Sequence, residues 1–212
     1  YDEMSSISQI PLLKASNLED GGTGAITDGT SFGSQEEVAA CKSLRLVEKF
    51  AKCCAKEGNE VGINWTFSPV SDIDYNYLNP IMNIRTFGSD PELVKAYATA
   101  YMKAVQDQGM ISCAKHFPGD GVDYRDQHLH PTVNSLSNSK WYETYGNIYK
   151  SLIDNGILSI MVAHILAPNV VKDYNDKSKD ITLPGSLNRT LLKGVLRKRL
   201  NFNGLIVSDA TI

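Results

Sequence analysis

The sequence predicts an α/β fold built from repeated βα units around a parallel sheet. Three observations lead to this prediction. Short apolar runs alternate with amphipathic stretches along the whole chain, the runs are apolar on both faces, and consecutive runs begin 46 to 51 residues apart. Strands that are apolar on both faces are typical of parallel sheets whose two sides are both covered.

Five apolar runs are predicted to form the strands. They are Ile10–Ala15, Val61–Phe67, Ile111–Phe117, Leu158–His164 and Gly204–Ser208. A bare βα unit needs only about 30 residues, so the surplus residues must lie in loops, most of which follow a strand. Loops that follow parallel strands emerge on one face of the sheet, where such folds place their chemistry.

Four amphipathic patterns predict the helices between these strands. The first repeats apolar residues from Ala40 to Cys54 and ends at Gly58. The second begins at Asp90-Pro91, an N-cap followed by a first-turn proline, and ends near Gly109. The apolar faces of the third and fourth are formed by Trp141, Tyr145, Ile148 and Leu152, and by Leu192, Val195, Leu196 and Leu200.

Two architectures fit a βα repeat, an open doubly wound sheet and a closed (β/α)8 barrel. No G-x-G-x-x-G dinucleotide fingerprint follows a strand, since Gly22-Thr23-Gly24 lacks the third glycine and the helix start. Only five strands are countable, whereas a closed barrel typically needs about 250 residues. We therefore expect residues 1–212 to form one (β/α)8 TIM-barrel-type domain, truncated at both ends. An open edge exposes unpaired strand groups, so a longer chain should be more stable.

Composition and charge exclude several classes of protein. The chain has 21 Lys and Arg against 24 Asp and Glu, a net charge of -3, which lacks the basic excess of a nucleic-acid-binding surface. No apolar run reaches the roughly 18 residues of a membrane span. The four cysteines form no C-x-x-C pair. We expect them to be buried thiols in a reducing compartment, which favours the cytoplasm.

The segment Lys115–His128 is the richest in chemistry. Pro118-Gly119 ends the preceding strand, and Gly121 allows the loop to turn back across the strand ends. Asp126 and His128 are two residues apart, so the carboxylate can hydrogen-bond to one imidazole nitrogen and leave the other for proton transfer. Taken alone, a D-x-H pair is usually solvated. Its position after a strand end favours a catalytic pair.

Residues 115–128 resemble the signature K-H-[FI]-P-G-[HD]-G-x(4)-D-[ST]-H of glycoside hydrolase family 3, in its β-N-acetylglucosaminidase branch. They match that pattern at every position except Gln127. Further segments resemble the family too, the last of them with Asn for the usual first Asp and one extra residue before the glycines. These segments are Phe67–Asp72, Arg85–Pro91, Val162–His164, Gly204–Asp209 and Asn17–Gly22.

The resemblance implies a retaining glycosidase that needs no metal or cofactor. Asp209 would be the nucleophile and His128 the general acid/base, polarised by Asp126. Retaining hydrolysis needs a carboxylate that forms a glycosyl-enzyme and a proton donor at the leaving oxygen, and a histidine can donate that proton without heavy burial. The residues implied to bind the sugar are Arg85, Lys115, His116, Asn17 and Glu19.

The expected activity is release of terminal N-acetylglucosamine from peptidoglycan fragments or chitin-like oligosaccharides, so the expected partner is a carbohydrate. A β-glucosidase or a phosphorylase of the same family remains an alternative. His128-Leu129-His130 is an H-x-H, which leaves open a metal-dependent barrel hydrolase, and an inactive sugar-binding fragment is a further alternative. Outside the resemblance, Arg85 could pair with Asp90 at the surface, and His164 is interpreted as a histidine of the barrel core.

Overall fold

The computed structural model describes residues 2–210. Its strands are β1 (Ala15–Ser16), β2 (Trp65–Thr66), β3 (Ile111–Phe117), β4 (Thr132–Val133), β5 (Ser159–Val162), β6 (Ile165–Leu166) and β7 (Leu205–Ser208). Five of them form one sheet in the order β1-β2-β3-β5-β7, with parallel neighbours throughout. The sheet curls into an incomplete barrel, which confirms the predicted fold class. Strands β4 and β6 form a separate parallel pair.

Four of the five predicted apolar runs contain a strand, whereas the first run shares only Ala15 with β1, and the first two strands are shorter than the runs. The side chain of Asn64 explains the shortening, because its Oδ1 accepts from the backbone N of Lys14 at 2.7 Å and its Nδ2 donates to Leu12 O at 2.9 Å. These bonds take the place of part of the backbone ladder before β2, where the backbone N of Asn64 still donates to Lys14 O at 3.0 Å. Ile10, at the start of the first run, is exposed.

The helices lie between the strands as the periodicity predicts, with short 3-10 turns among them. The α-helices are α1 (Asp2–Ile7), α2 (Gln35–Ala40), α3 (Leu44–Glu60), α4 (Pro91–Gln106), α5 (Asn138–Trp141), α6 (Asn147–Asp154) and α7 (Pro168–Tyr174). The 3-10 turns are Gly22–Gly24, Asn83–Arg85, Lys179–Thr182 and Gly185–Leu187, and π-helical segments span Tyr142–Gly146 and Thr190–Arg199.

Two helix predictions need correction. The first predicted helix is two helices, because Lys42 has a positive φ of 49° and the Ser43 side chain caps α3 by accepting from the backbone N of Leu46 at 3.3 Å. The fourth is π-helical, and its wider turn buries Leu191 while Leu192 lies only half-buried. The predicted second helix is α4, and the predicted third joins α5 to α6 through the π segment.

The two faces of the sheet pack differently. Alternate residues of a strand face opposite sides, and in β3 Ala114 packs with the large cluster that includes the helices, whereas Cys113 packs with Trp65 and Met161 in a small cluster. Phe117 at the end of β3 contacts Tyr149 of α6, with ring centroids 5.1 Å apart. The main core therefore lies between sheet and helices.

Two of the expectations from composition can be compared with the structure. Within residues 2–210 no helix is both long and apolar enough to cross a membrane. Cys54 and Cys113 are buried thiols, as expected, but Cys53 is half-buried and Cys41 is exposed, because Cys41 lies at the break between α2 and α3. For Cys41 the prediction of a buried thiol was wrong.

Candidate active site

The chemistry-bearing side chains gather at the carboxyl ends of the parallel strands. Because all five strands run the same way, the residues that follow them meet at one end of the sheet. A cavity of about 380 Å³ opens there. Its polar lining consists of Asn17, Arg85, Lys115, His116, His128, Ser208 and Asp209. A larger cavity of about 560 Å³ between Tyr174 and Lys198 has Lys or Arg at five of its eleven lining residues and no histidine.

Asp126 and His128 form the pair that their spacing predicts. Asp126 Oδ1 lies 2.7 Å from His128 Nδ1 and also accepts from the backbone N of His128 at 2.8 Å. Both side chains are half-buried. With Nδ1 engaged by the carboxylate, the free Nε2 lies 3.7 Å from Asp209 Oδ2. The imidazole is thus oriented so that its second nitrogen can exchange a proton inside the cavity.

The loop that carries this pair follows β3 through a tight turn. Gly121 has a φ of 98°, and a Cβ at this position would lie 1.9 Å from the backbone oxygen of Ile73. No other residue fits there without moving the backbone. The glycine therefore lets the loop pass close to the preceding segment and return His128 to the strand ends, as the sequence predicts.

Asp209 directly follows β7 and lines the cavity. Its backbone N donates to Val162 O at 2.9 Å, and its Oδ1 accepts from the backbone N of Ala210 at 2.8 Å. Burial by itself would raise the pKa of the carboxyl. The neighbouring His116 and His128, with the hydrogen bonds from Ala210 and Gln127, outweigh burial and lower the pKa of Asp209. The carboxylate is therefore ionised at neutral pH, as a nucleophile must be.

His116 is held by a buried carboxylate that the sequence-based site did not include. Asp72 Oδ2 lies 2.6 Å from His116 Nδ1 and accepts from the His116 backbone N at 3.0 Å. Asp72 Oδ1 accepts from the backbone N of Asp120 at 2.7 Å. His116 Nε2 then lies 3.9 Å from Asp209 Oδ2. The signal was present, since Asp72 ends one of the segments that resemble the family.

Arg85, Lys115 and Glu19 form an ion-pair network on the other side of the cavity. Glu19 Oε2 accepts from Arg85 Nε at 2.9 Å, and its Oε1 lies 2.5 Å from Lys115 Nζ. Burial would raise the pKa of the Glu19 carboxyl, but the two cations outweigh burial and lower its pKa to about 2. Arg85 therefore pairs with Glu19 and not with Asp90. Lys115 Nζ also donates to Asn17 Oδ1 at 3.0 Å.

All eight predicted site residues thus lie together, and three further residues join them. Asp72 is one of these. Gln127 is buried beside Asp209, and the carboxyl of Asp120 is buried with an Oδ2 that has no hydrogen-bond partner among residues 2–210. Burial and the charge of Asp72 raise the pKa of Asp120 to about 6.

The histidines outside this network behave differently from expectation. His164 is half-buried and not a core residue, because its Nδ1 lies 2.9 Å from Ser186 Oγ and its Nε2 lies 2.9 Å from Ala210 O, at the rim of the strand ends. The H-x-H pair does not converge, since His128 faces Asp126 and Asp209 while His130 is exposed. Across residues 2–210, no three His, Cys, Asp or Glu side chains group as metal ligands.

Comparison with known proteins shows what this arrangement resembles. Residues 2–212 match the family model of the "Glycosyl hydrolase family 3 N terminal domain". The chain is 43% identical over 98% of its length to a "Beta-N-acetylglucosaminidase/beta-glucosidase" of Cellulomonas fimi, and 31% identical over 98% of its length to a "Beta-hexosaminidase" of Methylobacillus flagellatus. It spans only 37% and 58% of these two relatives.

Two solved structures resemble the chain in both fold and sequence. The chain superposes on a structure described as a "Beta-glucoside phosphorylase" bound to 2FGlc with a TM-score of 0.95 and 48% identity, covering 98% of this chain and 38% of that one. It superposes on a family 3 β-N-acetylglucosaminidase from Paenibacillus sp. with a TM-score of 0.85 and 27% identity, covering 95% of this chain and 37% of that one.

Proposed function

The chain belongs to glycosyl hydrolase family 3, because it matches the N-terminal domain of that family, and we propose that it forms part of the catalytic domain of a retaining exo-β-N-acetylglucosaminidase. Its substrates would be peptidoglycan fragments or chitin-like oligosaccharides with a terminal N-acetylglucosamine. One observation carries the proposal: the free Nε2 of the Asp126–His128 pair and the ionised carboxylate of Asp209 face each other in one cavity.

In the first step, Asp209 attacks the anomeric carbon and forms a glycosyl-enzyme ester. Protonated His128 gives its Nε2 proton to the glycosidic oxygen, so the aglycone leaves as a neutral alcohol. Asp126 supports this step because its carboxylate stabilises the imidazolium through Nδ1. In the second step, neutral His128 takes a proton from water, the hydroxide oxygen attacks the anomeric carbon, and Asp209 leaves as a carboxylate.

The distance between His128 and Asp209 limits how a sugar can bind between them. The paired carboxyl groups of retaining glycosidases are about 5–5.5 Å apart, whereas His128 Nε2 and Asp209 Oδ2 are 3.7 Å apart. A sugar carbon and its glycosidic oxygen do not fit between them at that distance. The imidazole ring of His128 must therefore lie roughly 1–2 Å further from Asp209 when the sugar is bound.

The cations of the cavity fit a neutral, hydroxyl-rich ligand. The two positive charges of Lys115 and Arg85 are balanced by the carboxylates of Glu19 and Asp209, and both cations keep further N–H groups that can donate to sugar oxygens. His116 adds a polar Nε2 beside Asp209. We assign these three residues, with Asn17 and Glu19, to binding of the sugar in the subsite next to the bond that is cleaved.

A phosphorylase acting on β-glucosides is the second candidate, because the structural relative with 48% identity carries that description. A neutral histidine as general base repels an incoming phosphate dianion less than a carboxylate would. In that case phosphate oxygen replaces water in the second step, and the product is a glycosyl phosphate.

One experiment separates these candidates. The chain is incubated with 4-nitrophenyl N-acetyl-β-D-glucosaminide and with 4-nitrophenyl β-D-glucoside, each with and without inorganic phosphate, beside the Asp209→Asn variant. We expect the glucosaminide to be hydrolysed faster, with retention of configuration, and the variant to lose at least ~10³-fold in turnover. Phosphate-dependent formation of a glycosyl phosphate would favour the phosphorylase. Unchanged turnover in the variant would contradict both.

A further inference from the structure

Gln127 is the one position at which residues 115–128 depart from the family signature, and it lies at the centre of the site. Its side chain is buried, with 2% exposed. Nε2 donates to Asp209 Oδ2 at 2.8 Å, and Oε1 accepts from the backbone N of His164 at 2.8 Å. One amide thus joins the loop after β3, the residue after β7 and the segment after β5.

The orientation of this amide follows from its partners. The backbone N of His164 can only donate, and the ionised carboxylate of Asp209 can only accept. Turning the amide over would place its oxygen against the carboxylate and its NH2 against the backbone N–H, so both contacts would become repulsive. The donor of Gln127 must therefore face Asp209.

A serine or threonine, the residues of the signature, cannot make this bridge. Their hydroxyl is attached directly to Cβ, whereas the amide of Gln127 lies two bonds further from the backbone, and one hydroxyl would have to reach two partners on separate strands. Both contacts of Gln127 are already at the normal hydrogen-bond distance of 2.8 Å. The bridge is thus a property of glutamine at this position.

We propose that Gln127 is a positioning residue, which orients the Asp209 carboxylate and ties the loop of His128 to the end of β5. Ala210 N holds Oδ1 and Gln127 Nε2 holds Oδ2, so the carboxylate plane is fixed at both oxygens. Its importance for catalysis rests on the function proposed above, whereas its effect on the carboxylate does not.

The charged groups around Asp209 set the expected effect on its titration. His116 of β3 and His128 of the loop lie 3.9 and 3.7 Å from Asp209 Oδ2, and Lys115 and Arg85 line the same cavity. All four remain when Gln127 is replaced. The hydrogen bond from Gln127 also lowers the pKa of Asp209, so removing it raises that pKa while the surrounding charges stay the same.

The test uses Gln127→Met, which has a similar shape and no donor, and Gln127→Ser, which has the side chain of the signature. Gln106→Met is the control, because the amide of Gln106 also bridges two partners, Gly156 O at 3.0 Å and Leu158 N at 3.1 Å, but far from the cavity. The pKa of Asp209 is measured by carbon NMR of its carboxyl group, assigned by its loss in Asp209→Asn. The pH profile of kcat/KM is measured beside it.

We expect both Gln127 variants to raise the pKa of Asp209, to move the acidic limb of the profile to higher pH, and to lower kcat/KM by about tenfold to a hundredfold. Gln106→Met should change neither titration nor profile. An unchanged Asp209 pKa in a folded Gln127→Met or Gln127→Ser protein would overturn the proposal. Absence of turnover in the unmodified chain together with a raised pKa in the variants would refute the proposed function and leave the positioning role standing.

Discussion

At the scale of single residues, Asp72 holds His116 and the backbone of Asp120 in place. Its two oxygens engage His116 Nδ1, the His116 backbone N and the Asp120 backbone N at 2.6, 3.0 and 2.7 Å. The side chain is fully buried. A buried carboxylate with three partners is costly to replace, because any partner left without an acceptor keeps its full desolvation penalty.

We predict that Asp72→Asn destabilises the chain by about 1–3 kcal/mol and lowers kcat/KM. The amide has one acceptor oxygen in place of two, so at least one of the N–H groups of His116 or Asp120 faces an NH2. Urea unfolding monitored by circular dichroism gives the free energy of unfolding. A midpoint equal to that of the unmodified chain would show that the network contributes nothing.

Asp120 provides a prediction about pH. Its pKa in the folded chain is raised to about 6, whereas an unfolded Asp titrates near 3.8. Between these values the folded chain keeps a proton that the unfolded chain has lost, so this group's contribution to stability is present below pH 4 and is lost as pH rises through 6. The shift of about two units corresponds to at most ~3 kcal/mol.

Asp120→Asn lacks this titration. We predict that the free energy of unfolding of the variant, minus that of the unmodified chain, increases from pH 4 to pH 7. Urea unfolding at pH 4, 5, 6 and 7 measures this difference at each point. A difference that stays constant over the range would mean that Asp120 does not titrate there.

Residue spacing predicted only the pairing of partners that are close in the chain, whereas the other predicted site residues came from the family resemblance. Asp126 and His128 are two positions apart, and their pairing follows from that spacing and a glycine-marked loop. The contacts of Asp72 with His116 and of Gln127 with Asp209 join positions 44 and 82 residues apart. No local pattern encodes such contacts, because they depend on the order in which strands lie side by side.

At the scale of elements, α4 offers a test that separates stability from catalysis. Asp90 caps this helix, and its Oδ1 accepts from the backbone N of Glu92 at 2.9 Å. We predict that Asp90→Ala lowers the free energy of unfolding by about 1 kcal/mol and leaves kcat/KM unchanged. Asp90→Ser, which keeps a capping oxygen, is the control and should stay near the unmodified chain in urea unfolding. A loss of turnover in folded Asp90→Ala would contradict this separation.

Elements were predictable where the pattern was long and apolar. β3 has the predicted bounds because it lies between β2 and β5 in the sheet and six of its seven residues are buried. The first helix was predicted as continuous, since apolar periodicity passes over the positive φ of Lys42. The π-helical segment Thr190–Arg199 was not predicted either. The pattern was interpreted with the 3.6-residue period of an α-helix, and the wider π-helical turn changes which residues face the core.

At the scale of the whole molecule, the last strand of the sheet is exposed. Within residues 2–210, β7 pairs only with β5, and Leu205 at its start is 43% exposed. An apolar edge strand favours pairing with a second chain. We predict that Leu205→Lys lowers concentration-dependent self-association, measured by sedimentation velocity. Equal association in both proteins would show that this edge is not the contact.

The expected cytoplasmic location rests on the cysteines and stays a prediction.

Asp209 and His128 are 81 residues apart in the chain and meet because the strands that precede them end at the same edge of the sheet. The central claim is that the two residues act on one sugar. The most direct measurement treats the chain with a 5-fluoro-N-acetyl-β-glucosaminyl fluoride, which forms the glycosyl-enzyme faster than water hydrolyses it. Tandem mass spectrometry of the digested protein then locates the residue that carries the added mass of the sugar. We predict one sugar on Asp209 and none in Asp209→Asn. A sugar on a different residue, or continued labelling of the variant, would contradict the account.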